Sequence, residues 1–326
     1  MRAIVQERFG PPEVLGVAHV PDPVPGPGQV RIRVAAAGVH LIDTKLRAGQ
    51  TAGPAPAAPL PFTPGREVAG TVDALGDGVD GDWWGARVSA HLGPTGSGGY
   101  AEATLADVTA LHRLPDHIEP DAAVAMLGTG RMTMGLLELA RPSADDIALV
   151  TSAAGGIGIL LVQALRAAGA GVIAVAGTGS KLAIARTAGA DTTADYADPG
   201  WADDLAARIG DRRPTLVFDG LGGTPGRAAF DLLAPGGRTL LYGWSAGEPT
   251  AFTSRELYAR GLTAVVALGP PIMALGMRRL EDRALAALSE GTLSPAVARF
   301  PLDDAAEAHR ALEERRTSGK VVLVPA

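Results

Sequence analysis

The stretch that decides the fold is IALVTSAAGGIGILLVQALRAAG, residues 147–169. Its first part, IALVTSA (147–153), is an apolar run of strand length, whereas GIGILLVQALRAAG (156–169) has the length and apolar spacing of a helix. A glycine-rich turn joins the two segments. A strand, a glycine turn and a helix in this order predict the first βα unit of a dinucleotide-binding sheet.

The same alternation continues along the chain after residue 169. Further strands and helices are predicted at GVIAVAG (171–177), SKLAIARTAG (180–189), PTLVFDG (214–220), residues 224–234 and RTLLYG (238–243). Because strand–helix alternation produces right-handed crossovers, it predicts a doubly wound parallel sheet. We therefore expect a Rossmann domain over residues 122–266.

The first third of the chain has the pattern of strands and turns instead. VRIRV (30–34) alternates with the period of a half-buried strand, and residues 68–75 and 86–90 have the same character. Residues 49–64 are rich in Pro, Ala and Gly and predict a surface loop. Near the C-terminus, an amphipathic helix over residues 273–290 is followed by a strand, a helix and a strand.

Composition excludes several classes of protein. The 326 residues suffice for two domains, and the net charge of −6 disfavours nucleic acid as a partner. The absence of cysteine excludes disulfides and thiolate metal ligands, and it fits a cytoplasmic protein. The N-terminus, MRAIVQERFG, lacks the apolar core of a signal peptide, and no apolar window is long enough to span a membrane.

The turn TSAAGGIG matches the dinucleotide fingerprint with Ala153, Gly155 and Gly158 at its three small-residue positions. Gly155 and Gly156 would let the backbone approach a pyrophosphate, and Gly158 would let the helix pack close to the strand. The helix N-terminus offers N–H groups to phosphates. The alternative is a tight turn with a purely structural role.

The next predicted strand ends in AGTGSK (176–181), where NAD-binding enzymes place an Asp or Glu for the ribose. With no carboxylate present, Thr178 and Ser180 can donate hydrogen bonds to a 2′-phosphate and Lys181 can supply positive charge. These residues favour NADPH over NADH. The alternative for Lys181 is a solvated lysine, although the helix dipole disfavours a cation at a helix N-terminus.

Longer stretches carry a family resemblance. MRAIVQERFGPPEVL at the start, PFTPGREVAGTV (61–72), the AAGGIG turn and the tail FPLDDAAEAHRALEERRTSGKVVL resemble the zinc-free quinone oxidoreductases of the medium-chain dehydrogenase/reductase superfamily. The resemblance implies an α/β protein in which residues 1–121 and 267–326 form a GroES-like, mainly-β catalytic domain. The Rossmann domain would be inserted between these segments, with the active site in the cleft. The resemblance also implies a homodimer formed through the last Rossmann strand, about residues 263–268.

By position, the resemblance assigns NADPH contacts to residues around the pyrophosphate, the 2′-phosphate, the adenine and the nicotinamide. These residues are Thr129, Ala154, Gly155, Gly156, Ile157, Gly177, Ser180, Lys181, Tyr196, Gly243, Trp244, Ser245, Val266 and Leu268.

The chain departs from its zinc-dependent relatives at the metal ligands. His40 stands where they have the first Cys, and Arg66 replaces the His of their G-H-E motif. A guanidinium at a ligand position repels a cation, so no metal is expected. Nothing in the spacing of His40, Glu67 and His91 specifies a substitute site, and His91 is interpreted as an ordinary residue at a strand end.

Two further departures border the expected substrate pocket. The zinc-free family usually has Asn at the position of His40 and Tyr at the position of Lys45. Either side chain could donate a hydrogen bond or proton to an oxygen that gains charge. The alternatives are a buried structural histidine and a surface lysine, with Asp43 capping their helix. In the altered motif GDWWGARV, Trp83 and Trp84 are expected to cap a core.

These features together predict an NADPH-dependent, zinc-independent oxidoreductase that transfers hydride to a quinone. The alternative within enzymes is a reductase of the double bond in an enone, an enal or an enoyl thioester, with a biosynthetic tailoring role compatible. The enoyl-thioester version is weakened because the catalytic Tyr of such enzymes is missing from residues 40–45. A third hypothesis is a protein that binds NADPH without turnover. The expected partner is a small molecule, not nucleic acid or membrane.

Overall fold

The computed structural model describes residues 1–50, 59–93 and 98–326. The chain forms two compact units, one of residues 1–129 with 284–326 and the other of residues 130–283.

These units differ from the domains predicted from sequence at both boundaries. Residues 122–129 belong to the first unit because helix Pro120–Ala125 packs against the strands of that unit. Residues 267–283 belong to the second unit, where Ile272 and Leu280 pack against Gly135.

The described residues contain the following strands: β1 (Arg2–Gln6), β2 (Leu15–His19), β3 (Gln29–Val39), β4 (Glu67–Leu75), β5 (Arg87–His91), β6 (Ala103–Asp107), β7 (Leu111–Arg113), β8 (Ile147–Val150), β9 (Gly171–Ala176), β10 (Thr192–Asp195), β11 (Leu216–Asp219), β12 (Arg238–Leu241), β13 (Thr263–Val266), β14 (Val297–Pro301) and β15 (Lys320–Val324).

They also contain the following helices: α1 (Leu41–Arg47), α2 (Pro120–Ala125), α3 (Arg131–Ala140), α4 (Gly156–Ala167), α5 (Gly179–Thr187), α6 (Trp201–Ile209), α7 (Gly223–Asp231), α8 (Ser254–Arg260), α9 (Pro270–Met273), α10 (Met277–Ser289) and α11 (Ala305–Glu313). A π-helical turn, Met126–Gly130, links α2 to α3. None of the helices in these described ranges is long and apolar enough to cross a membrane.

The second unit is built on a six-stranded sheet in the order β10-β9-β8-β11-β12-β13, and every pair in it is parallel. The order reverses at β8, as the predicted doubly wound topology requires. Helices α4, α5 and α7 follow their strands directly. Because all six strands run in the same direction, their carboxyl ends lie along one edge of the sheet, which we call the carboxyl edge.

The predicted amphipathic helix over residues 273–290 is confirmed as α10, which begins four residues later than predicted, at Met277, and ends at Ser289. A separate short helix, α9, ends at Met273. Gly276 lies between them with a φ of 81°. This left-handed conformation ends one helix before the next begins.

The first unit is built on a mixed sheet in the order β14-β15-β3-β4-β5-β7, with β6 also paired to β3. Strand β3 is longer than predicted, and different stretches of it pair with different strands: residues 30–37 with β4, residues 29–33 with β6 and residues 37–39 with β15. Its pairing with β4 is irregular at Arg31/Ile32 and Val34/Ala36. The predicted strand, helix and strand at the C-terminus are confirmed as β14, α11 and β15. Of the predicted surface loop over residues 49–64, residues 51–58 lie outside the described residues.

The two adjacent tryptophans behave differently from each other. Trp83 packs against the core of the first unit, and the Arg113 guanidinium lies 4.1 Å from its ring centre. Trp84 is 65 % exposed, so the prediction that it caps a core is wrong. It begins the turn to β5, where its backbone N–H bonds the carbonyl of Gly81 and its side chain points away from the core.

Candidate active site

The turn after β8 holds α4 close to the sheet. A Cβ atom at Gly158 would lie 2.3 Å from the Ser152 carbonyl oxygen, so only glycine fits there. Ser152 itself has a φ of 51°, a conformation that non-glycine residues rarely adopt. Helix α4 begins at Gly156, and its first-turn N–H groups have no partner within the helix. The turn therefore has the form of an anion-binding helix N-terminus, as the fingerprint predicts.

A second group of predicted residues meets at the ends of β9 and β10. Gly177 makes room for the ring of Tyr196, since a Cβ at Gly177 would lie 2.7 Å from the tyrosine oxygen. The Thr178 hydroxyl caps α5 by accepting from the N–H of Lys181 at 3.4 Å, and it lies 3.2 Å from the Ser180 hydroxyl. The structure thus brings together the residues that the sequence assigns to a 2′-phosphate.

A buried carboxylate organises the loop that follows β11. Oδ1 of Asp219 accepts from the Thr151 hydroxyl at 3.0 Å and from the N–H groups of Leu221 and Gly222 at 3.0 and 3.1 Å. The Ser245 hydroxyl, from the loop after β12, donates to the Gly220 carbonyl at 3.1 Å. These bonds tie the loops after β8, β11 and β12 together at the carboxyl edge. Sequence reasoning did not single out Asp219.

The remaining predicted contacts are placed as follows. Gly243 and Trp244 follow β12 at the carboxyl edge, and Trp244 is 52 % exposed. Val266 ends β13 and Leu268 follows it. Thr129 lies in the π-helical turn and belongs to the first unit.

In the first unit, His40 belongs to a buried cluster of charged groups. Its Nε2 atom lies 2.8 Å from Oε1 of Glu67, and Nζ of Lys320 lies 2.6 Å from the same oxygen. Neither contact has the angles of a hydrogen bond, so both are close contacts between a nitrogen and the carboxylate oxygen. Oε2 of Glu67 accepts from the N–H of Gly128 at 2.9 Å. Burial alone would raise the pKa of Glu67, but His40 and Lys320 together hold it well below its usual range.

Two glycines make room for this carboxylate. A Cβ at Gly38 would lie 2.1 Å from Oε1 of Glu67, and a Cβ at Gly128 would lie 2.6 Å from Oε2. A Cβ at Gly128 would also approach the His40 ring to 2.7 Å. The backbone therefore packs directly against the carboxylate and the imidazole.

Asp43 links the start of α1 to neighbouring polar groups. It accepts from the backbone N–H of His40 at 2.8 Å, which confirms the prediction that it caps this helix. The same oxygen, Oδ2, accepts from the Tyr100 hydroxyl at 3.2 Å, and the other oxygen, Oδ1, pairs with Arg66 at 2.8 Å. Burial acts to raise the pKa of Asp43, yet the nearby cations, Arg66 first, hold it below its usual value.

The tautomer of His309 follows from its neighbours. The Tyr100 hydroxyl donates its hydrogen to Asp43, so Nε2 of His309, 3.2 Å from that hydroxyl, must be the donor. The guanidinium of Arg47, which can only donate, lies 3.2 Å from Nδ1. The neutral form with hydrogen on Nε2 satisfies both neighbours. Burial lowers the pKa of His309 to about 4, with Asp43 opposing the shift and Arg47 adding to it.

This environment predicts a loss of stability in mild acid. As the pH falls below about 6.5, the imidazole takes up a proton in the unfolded chain, whereas the folded chain resists protonation down to about 4. Stability present above pH 6.5 is lost progressively toward pH 4, by roughly 3 kcal/mol in total. Urea unfolding at pH 7 and pH 4.5 measures the loss.

His309→Gln is the matched control, because an amide can donate to Tyr100 and accept from Arg47 without titrating. We expect this variant to lose less stability between the two pH values than the natural chain. Equal losses in the two proteins would contradict the assignment.

Only some of the residues that cluster around His40 could be predicted from the sequence. His40 was predicted as a site residue, but Lys320, Tyr100 and His309 were not. Lys320 carries one signal, since a charged residue begins the otherwise apolar strand KVVLV. Lys45 is exposed on α1, and its catalytic role stays a prediction. His91 ends β5, as expected.

Metal-ligating side chains are not clustered in the part of the chain that the structure describes. Within residues 1–50, 59–93 and 98–326, no group of three His, Cys, Asp or Glu side chains is arranged to hold a metal ion.

Comparison with known proteins identifies the two regions. Residues 26–116 match the alcohol dehydrogenase GroES-like domain, and residues 156–273 match the zinc-binding dehydrogenase family. The chain is 33 % identical to a probable quinone oxidoreductase of Schizosaccharomyces pombe, over 97 % of this chain and 95 % of the relative.

Two other relatives are similar over almost their whole length. A 2-haloacrylate reductase of a Burkholderia species is 31 % identical over 100 % of this chain and 99 % of its own. The structure of Escherichia coli quinone oxidoreductase complexed with NADPH is 27 % identical, with a TM-score of 0.86 and 100 % of both chains covered. With a GroES-like domain, a Rossmann sheet and relatives of this kind, the chain belongs to the quinone oxidoreductase family of the medium-chain dehydrogenase/reductase superfamily and is an NAD(P)-dependent oxidoreductase.

Proposed function

We propose that the protein is an NADPH-dependent, zinc-independent reductase that transfers hydride to a quinone. The observation that carries the choice of cofactor is the group at the ends of β9 and β10. There Thr178, Ser180 and Lys181 stand together where an NAD-binding enzyme would present a carboxylate.

The residues of the second unit fit this cofactor. The N-terminus of α4 and the turn at Gly155 would hold the pyrophosphate, while Lys181 and Tyr196 would flank the 2′-phosphate and adenine. NADPH, when bound, supplies the hydride. The protein's part is to orient the cofactor and the acceptor and to stabilise the charge that develops on the acceptor oxygen.

Zinc does not fit the residues of the first unit, although the matching family is named for it. The chain has no cysteine. The Arg66 guanidinium pairs with Asp43, and the Lys320 ammonium contacts Glu67. Since two cations already neutralise the carboxylates nearest His40, a divalent metal would be repelled there.

We propose that His40 donates the proton that the product needs after hydride transfer. An imidazole can both accept and donate a proton, and the His40 side chain keeps 21 % exposure although Nε2 is buried.

The second candidate function is reduction of an activated carbon–carbon double bond. The observation that favours this candidate is the similarity to a 2-haloacrylate reductase. The chain is 31 % identical to that enzyme and 33 % identical to the probable quinone oxidoreductase, so the two identities are nearly equal. Both reactions need the same cofactor site and differ only in the acceptor.

The experiment that separates them is NADPH oxidation at about 340 nm, the band of the reduced nicotinamide. The acceptors would be simple quinones, an enone, an enal and an enoyl thioester, each with EDTA present. Quinone turnover with EDTA supports the proposal, and turnover of the double-bond acceptors alone supports the second candidate. Tight NADPH binding with no turnover would favour a binding role.

Replacing Lys181 tests the cofactor preference. We expect Lys181→Ala to weaken NADPH binding roughly 10- to 100-fold, the value of one charge-assisted hydrogen bond, and to change NADH binding little. Fluorescence titration of both nucleotides measures the two effects. Arg255→Ala, an exposed cation of the same unit, should leave both affinities unchanged. Equal losses for NADPH and NADH in Lys181→Ala would rule out the 2′-phosphate contact.

The proposed homodimer is supported by the position of β13. This strand lies at the edge of the six-stranded sheet, and Val266 at its end is 60 % exposed. An unpaired apolar edge is commonly covered by a partner strand. The dimer and the cytoplasmic location stay predictions.

A further inference from the structure

His40 and Lys320 both contact the same carboxylate, that of Glu67, which carries one negative charge. Oε1 of Glu67 is shared by an imidazole at 2.8 Å and an ammonium at 2.6 Å. Glu67 is wholly buried and Lys320 is 4 % exposed. In so buried a place, the attraction between charges is stronger than in water, so each partner affects the other.

The other titratable groups around the imidazole do not supply a second negative charge. Asp43, which faces His40 from α1, is paired with Arg66. Tyr100 stays protonated, because burial and then Asp43 hold its pKa well above its usual value. His309 is neutral, and His91 lies opposite Glu67 in β5. The Lys320 ammonium is therefore the counter-ion of Glu67, and a charged His40 would compete with it.

We propose that Lys320 is a positioning residue that keeps His40 uncharged, with its hydrogen on Nε2, by neutralising the buried Glu67 carboxylate that both side chains contact. Nε2 lies 2.8 Å from the carboxylate oxygen, where a nitrogen lone pair would be repelled, so the hydrogen is assigned to Nε2 and Nδ1 is an acceptor. Nδ1 can therefore take a proton from solvent and pass it on. This last consequence rests on the proposed role of His40 in turnover, whereas the charge state itself does not.

Nitrogen NMR of the full-length protein labelled with ¹⁵N-histidine tests the charge state without cofactor or substrate. His40→Asn identifies the His40 signals. At pH 7 we expect the natural protein to show the neutral Nε2–H pattern. In Lys320→Met, which keeps the volume and removes the charge, we expect the ratio of charged to neutral imidazole to rise at least about tenfold.

Two matched variants complete the design. Lys320→Arg keeps the cation and should restore the neutral pattern. The double variant Glu67→Gln with Lys320→Met removes both charges and should also keep His40 neutral. If Lys320→Met does not fold, Lys320→Gln, an uncharged variant whose amide can donate to Glu67, takes its place with the same expectation.

An unchanged spectrum in both uncharged Lys320 variants would overturn the proposal, as would a charged His40 in the natural protein. Because the spectra need no turnover, they also separate this inference from the proposed function. A protein with the expected spectra but no reductase activity would refute the function alone.

Discussion

Gly158→Ala is expected to abolish tight NADPH binding and to destabilise the second unit. The new Cβ would lie 2.3 Å from the Ser152 carbonyl oxygen and 2.7 Å from the Ala153 Cα, and both are backbone atoms that cannot rotate away. Helix α4 would have to move away from β8, at a cost of about 3 kcal/mol. The displaced N–H groups would lose charge-assisted hydrogen bonds worth about 1.5–3 kcal/mol each, so we expect roughly a hundredfold weaker binding.

Fluorescence titration of NADPH and thermal unfolding measure the two effects of Gly158→Ala. Gly81→Ala is the control, because a Cβ at Gly81 meets nothing within 4 Å. We expect this control to bind NADPH like the natural protein. Natural affinity in Gly158→Ala would mean that the phosphates bind elsewhere than at the α4 N-terminus.

Glu67→Ala has the second large expected effect, on the stability of the first unit. It leaves the Lys320 ammonium buried without its carboxylate, and breaking a buried ion pair in this way costs about 3–5 kcal/mol. The variant also loses the acceptor for the Gly128 N–H. Urea unfolding at pH 7 measures the change in the free energy of unfolding.

Two variants show whether the unpaired charge causes this loss. The double variant Glu67→Gln with Lys320→Met should recover most of the stability, because replacing both ions of a buried pair by uncharged groups is often nearly neutral. Glu290→Ala, at an exposed position of the same unit, should change little. If the double variant is as unstable as Glu67→Ala, the loss comes from packing and not from charge.

The Rossmann sheet could be predicted from sequence because its signals are local. Each short apolar strand is followed by a helix within a few residues, and the glycine turn after β8 lies between two such elements. The parallel order of strands then follows from right-handed crossovers. The predicted helix over residues 273–290 begins later than expected, at Met277, because Gly276 adopts a left-handed conformation that periodicity does not reveal.

The candidate site of the second unit was predicted for the same reason. Gly177, Ser180 and Lys181 follow one strand directly, and Tyr196 follows the next. Parallel pairing of β9 with β10 then places them at the same edge of the sheet. Asp219 could not be singled out, because its role depends on Thr151 from a different strand.

The sequence alone determined the dinucleotide-binding sheet and the absence of cysteine chemistry, because these depend on neighbouring residues and on composition. Its motifs also carried the resemblance to the medium-chain dehydrogenase/reductase superfamily. Only the tertiary structure decided the surroundings of His40. Glu67 and Lys320 begin two strands, β4 and β15, that both pair with β3. Their charges meet beside His40 because strand pairing joins distant parts of the chain, and no local pattern records which residues will share one buried carboxylate oxygen.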